Sequence, residues 1–336
     1  MFALICAICG LAVVCISCLR NRARRINMEP NKAQSLFPVA EIQASRTKNL
    51  YPNDLQRQKE KVIFVMGSTG SGKSKLAIYL ASKFQGEVIN SDKIQVHKGL
   101  DIVTNKVTEE EMNGVPHHLI GILEPETEFT VSDFCEQTSL AMDSILKRGN
   151  VPIIAGGSNR YIEALVDNET LEFRNKYDCC ILWVQVSLSV LKKYVYERVD
   201  QMVEAGLVDE VRSVFKPDGD YSKGILRSIG VPELDAYFRA EAAGYEDEEI
   251  LDKLLEEGIN MMKSNTYDLA CRQFEKINRL RFEKGWNIHL IDATGVFLKR
   301  GVQREHEWKN GVAWPSVNII RSFLYGDNTN VMDKDN

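Results

Sequence analysis

The sequence contains a glycine-rich loop of the kind that binds phosphate groups. The loop matches the pattern G-x-x-x-x-G-K-[ST] and lies between an apolar run and a helical pattern. Its glycines let backbone N–H groups converge on phosphate oxygens, and the helix N-terminus adds a partial positive charge. Lys73 supplies a full charge, and Ser74 supplies a hydroxyl for Mg²⁺. The residues that we expect to bind phosphate here are Gly67, Ser68, Thr69, Gly70, Ser71, Gly72, Lys73 and Ser74.

The acid that phosphoryl-transfer enzymes of the P-loop class place at a strand end is missing. Those enzymes use it to organise Mg²⁺ beside the phosphates. The predicted strand 151–155 is followed by Gly-Gly-Ser, and the predicted strand 180–186 is followed by Ser187. The remaining candidate is Asp92, just after the predicted strand 87–89. Its position beyond the carboxyl end of a strand is where doubly wound sheets bind ligands.

Short apolar runs alternate with helical patterns along the chain. Strands are predicted at residues 61–66, 87–89, 151–155 and 180–186, with a helix at residues 74–84. The alternation predicts an α/β fold, a doubly wound parallel sheet like that of the P-loop NTPases, with a helical insertion and C-terminal helices.

Two long helical patterns follow the strands, at residues 190–215 and 247–283. They lie in a helical, substrate-binding part at about residues 190–285. The core positions predicted for the second helix are Ile250, Leu254, Ile259, Met262, Leu269, Phe274 and Ile277.

Composition restricts the class of protein. The chain has 336 residues, is 44% hydrophobic and carries a net charge of −5. A general nucleic-acid binder usually carries a basic surplus, so the charge argues against one. Four of the eight cysteines lie in the first 18 residues as two C-x-x-C pairs, which are too close together and too apolar for a zinc ribbon. The others read as buried thiols of a reduced protein: Cys135, Cys179, Cys180 and Cys271.

The first residues have the composition of a leader. Residues 1–19 carry no charge, and four arginines follow within residues 20–25. A secretory signal has its positive charges before the apolar stretch, which is the opposite order. The length is near the lower limit of a membrane span, and an organelle transit peptide fits in part. We expect residues 1–55 to be a targeting or anchoring leader plus linker, and its type stays open.

Six segments resemble, in order, the isopentenyltransferases, and more narrowly the plant adenylate isopentenyltransferases of cytokinin synthesis. The match covers residues 61–299 and rests on GSTGSGKSKLA, EVINSDKIQVHKGLDIVTNK, VPHHLIG, PIIAGGSNRYIEAL, RVDQMVEAGLVDEVR and NTYDLACRQFEKINRLR. The resemblance implies transfer of a dimethylallyl group from dimethylallyl diphosphate to N6 of adenine in ADP or ATP, or in AMP, with Mg²⁺. It also implies a catalytic domain at residues 56–322 and a polar tail at residues 323–336.

The resemblance assigns roles around the loop. Asp92 would be the general base, with an N-cap or a Mg²⁺ ligand as the alternative roles. Ser158 would lie near the reacting centre, or only stabilise a turn. Lys73 and Arg198 would bind the diphosphate, although Arg198 could equally be a solvated side chain on its helix. The segment with Thr104 and Lys106 would close over the donor, or be an ordinary loop.

The acceptor side is marked more weakly. The candidate acceptor contacts are Ser91, Gln95, Arg227, Lys263, Arg272 and Gln273. His117 and His118 are adjacent, so they cannot both face one metal from a strand, and we expect local hydrogen bonding. Two residues depart from the family pattern, with His97 at a usual tyrosine and Leu226 at a common basic residue.

Three other functions compete with prenyl transfer to an adenylate. A tRNA dimethylallyltransferase shares the chemistry, but the region after Arg281 has His289 and His306 and no cysteine, so it holds no Cys/His zinc finger. A small-molecule kinase needs the missing strand-end acid. A membrane-tethered nucleotide switch leaves Asp92, Ser158 and Arg198 without a role.

The expected partners are therefore dimethylallyl diphosphate and ADP or ATP, with no tRNA. We expect a monomer, with membrane association through residues 1–19 as an option. A plastid location is expected, with the mitochondrion, the cytosol or the cytosolic membrane surface as alternatives.

Overall fold

The computed structural model describes residues 59–326, which form a six-stranded sheet with helices on both faces. All strand pairs are parallel, in the order β3-β2-β4-β1-β5-β6. The strands are β1 Glu60–Gly67, β2 Gly86–Asn90, β3 His117–His118, β4 Val151–Gly156, β5 Tyr177–Gln185 and β6 Ile288–Asp292. The predicted α/β class with a doubly wound sheet is confirmed.

Twelve α-helices connect and cover these strands in the described region. They are α1 Lys73–Phe84, α2 Glu109–Met112, α3 Val131–Lys147, α4 Asn159–Val166, α5 Phe173–Lys176, α6 Leu188–Glu204, α7 Leu207–Arg212, α8 Asp235–Ala242, α9 Glu248–Phe282, α10 Thr294–Leu298, α11 Gly301–Glu307 and α12 Trp314–Tyr325. Short 3₁₀ turns lie at Gly224–Arg227 and Pro232–Leu234, and a π-helix at Trp308–Ala313 joins α11 to α12.

Strand β1 is the centre of the core. Residues 62–66 are fully buried, as expected of a parallel strand covered on both faces. Its side chains alternate, so Ile63 and Val65 pack with α1 while Phe64 and Met66 pack on the opposite face. A third apolar cluster lies outside the sheet and holds α7, α8 and α9 together.

The four predicted strands are confirmed, and two strands were missed. Strand β3 has only two residues, and both are histidines. Strand β6 alternates without a clear apolar face, with Leu290 44% exposed. Neither carries the β-branched run that marks the buried strands.

The predicted helix 190–215 is wrong as a single element. Helix α6 ends at Glu204, and α7 begins at Leu207. Gly206 between them has φ 98°, a left-handed conformation that ends a helix and favours glycine. The apolar period runs across this break because both helices contribute to the same cluster.

The predicted helix 247–283 is confirmed as α9, but its buried face differs from the prediction. Ile250 is 42% exposed, while Met262 and Ile277 are buried as predicted. The other predicted positions are half-buried. The buried positions are Gly258, Met262, Thr266, Ala270, Gln273, Ile277 and Leu280, which include small and polar residues that an apolar pattern does not reveal.

The ends of the chain bear on the leader and tail predictions. Helix α12 continues to Tyr325, three residues into the predicted polar tail, because Phe323 and Leu324 pack on the core. The leader, the N-terminal cysteine pairs and the membrane segment at residues 1–19 lie outside the described residues. Among residues 59–326, no helix is long and apolar enough to cross a membrane.

A buried carboxylate secures the edge of the sheet. Glu87 is 3% exposed and accepts hydrogen bonds from Arg148 (2.7 and 3.0 Å) and Asn150 (2.7 Å), with His118 Nε2 at 2.7 Å. Burial raises the pKa of Glu87, but these hydrogen bonds outweigh it and lower the pKa to about 2. His117 Nδ1 lies 2.8 Å from the Val115 carbonyl oxygen, so both histidines make the local contacts that we expected.

We predict that Glu87→Gln lowers the free energy of unfolding by about 2–3 kcal/mol at neutral pH, because charge-assisted hydrogen bonds are lost. The lowered pKa means that Glu87 stabilises the fold above its ordinary value of 4.5 and that this contribution disappears as pH falls toward 2. The difference between variant and wild type should therefore shrink in acid. Urea denaturation at several pH values measures it, with exposed Glu136→Gln as the control.

Candidate active site

The phosphate-binding loop connects β1 to α1 at the carboxyl edge of the sheet. Gly70 and Gly72 have φ of 81° and 91°, which favour glycine and shape the turn. Ser71 N donates to Ser68 O at 3.1 Å, and Lys73 Nζ reaches the same carbonyl at 3.2 Å. The Lys73 side chain therefore folds back over the phosphate-binding loop.

A cavity of about 850 Å³ opens above this loop. Of the residues predicted from the sequence, Asp92, Gln95, Thr104 and Arg198 line it together with the loop. Its remaining wall comes mostly from the C-terminal residues 293–312, which no predicted role included.

The charges in the cavity are coupled. Burial lowers the pKa of Lys73 to about 8, with the Asp92 carboxylate opposing the shift and Arg198 adding to it. Burial also lowers the pKa of Arg198, whose Nη2 donates to Thr69 Oγ1 at 3.0 Å. Arg198 Nε is buried and has no hydrogen-bond partner among the described residues. At the loop, Lys73 and Arg198 thus face the Asp92 carboxylate. Elsewhere in the lining, two further cations and two further carboxylates balance each other, and the net positive charge suits an anionic ligand. These four side chains are Lys75, Arg304, Glu111 and Glu305.

Asp92 is held by the turn that follows β2. Its N–H donates to Asn90 Oδ1 at 2.9 Å, and its Oδ1 accepts from Ile94 N at 3.0 Å. This contact is an Asx turn, and no helix begins at Asp92, so the structure does not show the N-cap role. Within residues 59–326, the other oxygen, Oδ2, has no protein hydrogen bond, so it is available to a ligand.

A close backbone approach fixes the position of Asp92. A Cβ at Gly156, the last residue of β4, would lie 2.5 Å from the Ser91 carbonyl carbon and 2.8 Å from Asp92 N. Ser158 closes the same contact, since its N–H donates to Ser91 O at 3.1 Å and its Oγ accepts from Lys93 N at 3.0 Å. The turn-stabilising role of Ser158 is therefore present, and its hydroxyl proton can still be donated elsewhere.

The loop with Thr104 and Lys106 is built mainly from contacts within itself. Thr104 lines the cavity, but its hydroxyl donates to Leu100 O at 2.6 Å. Lys106 Nζ donates to Gly99 O at 2.6 Å and pairs with Asp101 at 2.7 Å, and it lines a neighbouring groove rather than the main cavity. This structure therefore does not place the Lys106 ammonium against the phosphate-binding loop.

Two side chains position this loop. Gln95 Nε2 donates to the Thr104 and Asn105 carbonyls at 3.1 and 3.0 Å. Glu210 on α7 accepts from the N–H groups of Ile102 and Val103 at 2.9 and 2.8 Å. Gln95 was predicted as an acceptor contact, whereas sequence reasoning missed Glu210.

The acceptor candidates separate into two groups. Arg227 lies near Lys93, where burial first and then Arg227 and Lys276 lower the pKa of Lys93. This basic cluster, Lys93, Arg227 and Lys276, lies beside Asp92, whose carboxylate opposes that shift. Lys93 and Lys276 were missed, although Lys93 directly follows Asp92 in the sequence.

The structure does not bring the other candidates into the cavity as side chains free to bind. Lys263 Nζ pairs with Asp200 at 2.5 Å between α9 and α6. Arg272 is on the exposed side of α9. Ser91 is buried beneath the turn, with its hydroxyl unpaired. His97, which departs from the family pattern, is fully buried between the Ile94 and Thr127 carbonyls.

Gln273 has a different role from the one predicted. Its Oε1 accepts from Thr69 N at 2.7 Å, and its Nε2 donates to Gly157 O at 2.9 Å. The side chain therefore bridges the phosphate-binding loop and the Gly-Gly turn after β4. Ser68 Oγ adds a second tie to α9 through Ala270 O at 2.8 Å. The Thr69 amide is used by this bridge and is not free for phosphate.

Comparison with known proteins places this site in a family. The family described as IPP transferase matches residues 95–173 and 167–279. The chain is 56% identical over 274 residues to adenylate isopentenyltransferase 5, chloroplastic, of Arabidopsis thaliana, covering 81% of this chain and 82% of the relative. The chain belongs to the adenylate isopentenyltransferase family.

Other members and neighbours extend this result. Adenylate isopentenyltransferase 7, mitochondrial, of the same plant is 50% identical, covering 84% of this chain and 86% of the relative. A solved eukaryotic dimethylallyltransferase acting on tRNA superposes with a TM-score of 0.64 at 25% identity, covering 79% of this chain and 80% of that one. The family's adenylate branch is thus much nearer in sequence than this tRNA enzyme.

We predict that Gln273→Ala disturbs the family's phosphate-binding loop. The change leaves the partly buried Thr69 amide and the buried Gly157 carbonyl unpaired, so the free energy of unfolding should fall by about 2–3 kcal/mol. The apparent KM for the diphosphate donor should rise by roughly tenfold, because Thr69 and its neighbours lose their support. Thermal unfolding and initial rates check this, and exposed Glu275→Ala on the same helix should change neither.

Proposed function

We propose that the chain transfers a dimethylallyl group from dimethylallyl diphosphate to N6 of the adenine of ADP or ATP, the first step of cytokinin synthesis. The observation that carries the proposal is the pairing of Asp92 with the phosphate-binding loop across one cavity. Asp92 Oδ2 is available to a ligand, and the strand ends at β4 and β5 carry no acid for phosphoryl transfer. The names of the relatives support adenylate as the acceptor.

The donor diphosphate would lie on the phosphate-binding loop as a leaving group. The bond between the allylic C1 and the diphosphate oxygen breaks as the bond between C1 and N6 forms, and N6 loses one proton. Lys73, Arg198 and the free loop amides stabilise the charge that develops on the departing diphosphate. Asp92 accepts the N6 proton, which raises the reactivity of an amine whose lone pair is delocalised into the ring.

Magnesium would take most of its ligands in this site from the donor phosphates and water rather than from protein side chains. No group of three or more His, Cys, Asp or Glu side chains within residues 59–326 could hold a metal ion. Ser74 lines the cavity at the start of α1 and would provide a hydroxyl ligand. Mg²⁺ commonly keeps several waters and takes its other ligands from substrate phosphates, where it neutralises charge on the leaving group.

The acceptor phosphates would bind at the basic cluster of Lys93, Arg227 and Lys276. Arg227 Nη2 has only a 3.5 Å ion pair with Glu128, which leaves donors for a ligand. Three cations suit a di- or triphosphate better than a monophosphate. This arrangement favours ADP and ATP over AMP, and Arg227 supplies the charge that Leu226 lacks.

Domain roles and location are part of the same proposal. The catalytic domain comprises residues 56–325, since α12 carries it three residues past the predicted bound, and it acts as a monomer. Residues 1–55 direct it to an organelle, and the plastid is favoured because several relatives are named chloroplastic, although one is named mitochondrial. Expression of a fluorescent fusion in leaf cells tests the location.

The function is tested by incubating the protein with dimethylallyl diphosphate and Mg²⁺ and offering ADP, ATP, AMP and a tRNA in parallel. We expect N6-prenylated ADP and ATP, less product from AMP and none from tRNA. Product is identified by mass spectrometry. Prenylation of tRNA alone would overturn the proposal.

Replacing Asp92 tests the general base. Asp92→Asn should lower kcat by roughly 10²–10⁴-fold, the range for general base catalysis, because the amide cannot accept the N6 proton. Donor binding, measured by calorimetry, should change little. Asp252→Asn, on an exposed position of α9, is the matched control. Turnover by Asp92→Asn at the wild-type rate would show that another group accepts the proton.

A further inference from the structure

The cavity is larger than the proposed donor requires. Its volume of about 850 Å³ corresponds to roughly 28 waters at about 30 Å³ each. Dimethylallyl diphosphate has about half that number of non-hydrogen atoms, whereas a nucleoside diphosphate has close to it. The part beyond the donor and beyond the adenine at Asp92 is bounded by Val296, Phe297, Val302, Arg304 and Trp308, which we call the C-terminal wall.

Strand order separates this wall from the reacting centre. Asp92 follows β2, the loop follows β1, and the wall follows β6, in the sheet order β2-β4-β1-β5-β6. With roughly 4.8 Å between neighbouring strands, the carboxyl ends of β2 and β6 lie about 19 Å apart, on opposite sides of the strand that carries the loop. A donor with its phosphates on the loop and its C1 near Asp92 points away from the wall. A ligand that fills the wall must extend from the phosphates in the other direction.

The wall presents an aromatic face next to the loop. Lys75 Nζ lies 4.4 Å from the centre of the Trp308 ring, and Tyr79 packs edge-on against the same ring at 5.0 Å. Lys75 and Trp308 both line the cavity, and the Lys75 ammonium covers this ring face in the free protein. Val302 is 86% exposed beside it, and the exposed Arg304 makes no side-chain hydrogen bond or ion pair among the described residues.

We propose that the phosphate-binding loop and the C-terminal wall form a second, non-productive site for a nucleoside di- or triphosphate. Its phosphates lie on the loop where the donor diphosphate binds, and its base stacks on Trp308 in place of the Lys75 ammonium. Lys75 and Arg304 then face the phosphates and ribose. This inference rests on the proposed function, since it assumes that the donor occupies the Asp92 side of the loop.

The consequence is that a nucleotide competes with the donor. A nucleotide in this mode has its base far from Asp92, so it is not prenylated and no bond changes. The acceptor would therefore inhibit its own prenylation at high concentration. Guanosine diphosphate separates the two sites, because it carries a base and a diphosphate but lacks the N6 amine.

The test measures initial rates of ADP prenylation by the full chain with guanosine diphosphate added. We expect inhibition that is competitive with dimethylallyl diphosphate and that persists at ADP concentrations which saturate the acceptor site but lie below those at which ADP itself inhibits. Inhibition removed by ADP instead would place the inhibitor at the acceptor site and overturn the inference, as would no inhibition. Absence of prenylated ADP without inhibitor would overturn the proposed function, and displacement of radiolabelled donor by guanosine diphosphate would then decide the inference separately.

Two variants test whether the nucleobase of guanosine diphosphate stacks on the C-terminal wall. Trp308→Leu should raise the inhibition constant of guanosine diphosphate by roughly 5- to 100-fold, from the strength of base–aromatic stacking. The KM values for donor and ADP should change less than about twofold. Arg304→Gln, at an exposed position that leaves the packing intact, should raise the same constant several-fold. Trp314→Leu, 45% exposed and outside the cavity, is the matched control. Unchanged inhibition in Arg304→Gln and in a folded Trp308→Leu would overturn the inference.

Discussion

The geometry of the site depends on one buried amide, that of Gln273. It bridges an N–H of the phosphate-binding loop and a carbonyl of the turn after β4, at 2.7 and 2.9 Å. These two segments belong to neighbouring strands and carry opposite parts of the proposed chemistry, the diphosphate grip and the support of Asp92. Because the Gly157 carbonyl is buried and the Thr69 amide is partly buried, an apolar side chain at this position would leave both groups without a partner. A helix outside the sheet therefore ties the two segments together beyond the ends of their strands.

The second constraint is the absence of a side chain at Gly156. The backbone of residues 91–92 passes so close to this glycine that a Cβ would overlap it. Steric exclusion and the Gln273 bridge act on the same turn from different directions. Together they leave Asp92 little freedom, which is the preorganisation that a proton acceptor near a reactive bond requires.

The difference between local sequence patterns and contacts between distant segments explains what could be predicted from the sequence. The phosphate-binding loop, four strands and Asp92 are marked by local patterns, because each buried strand is a continuous apolar run and the loop has its own glycine spacing. Gln273, Lys93, Lys276 and the C-terminal wall act through contacts between segments far apart in the chain. Glu210 accepts hydrogen bonds from the backbone of residues 102 and 103, but no pattern near Glu210 in the sequence predicts this contact. The break at Gly206 was also hidden, because the apolar period continues across it.

The charges give Asp92 a second effect beyond the proposed proton transfer. Burial and Arg198 destabilise the charged form of Lys73, whereas the Asp92 carboxylate stabilises it. The free site therefore holds an uncompensated positive charge that the diphosphate would neutralise, most strongly as negative charge accumulates on bond breaking. A carboxylate that accepts a proton at the same moment withdraws its own negative charge from Lys73. The electrostatic potential at the leaving diphosphate then becomes more positive as it departs. Proton transfer to Asp92 and diphosphate binding at the loop would therefore reinforce each other within one cavity.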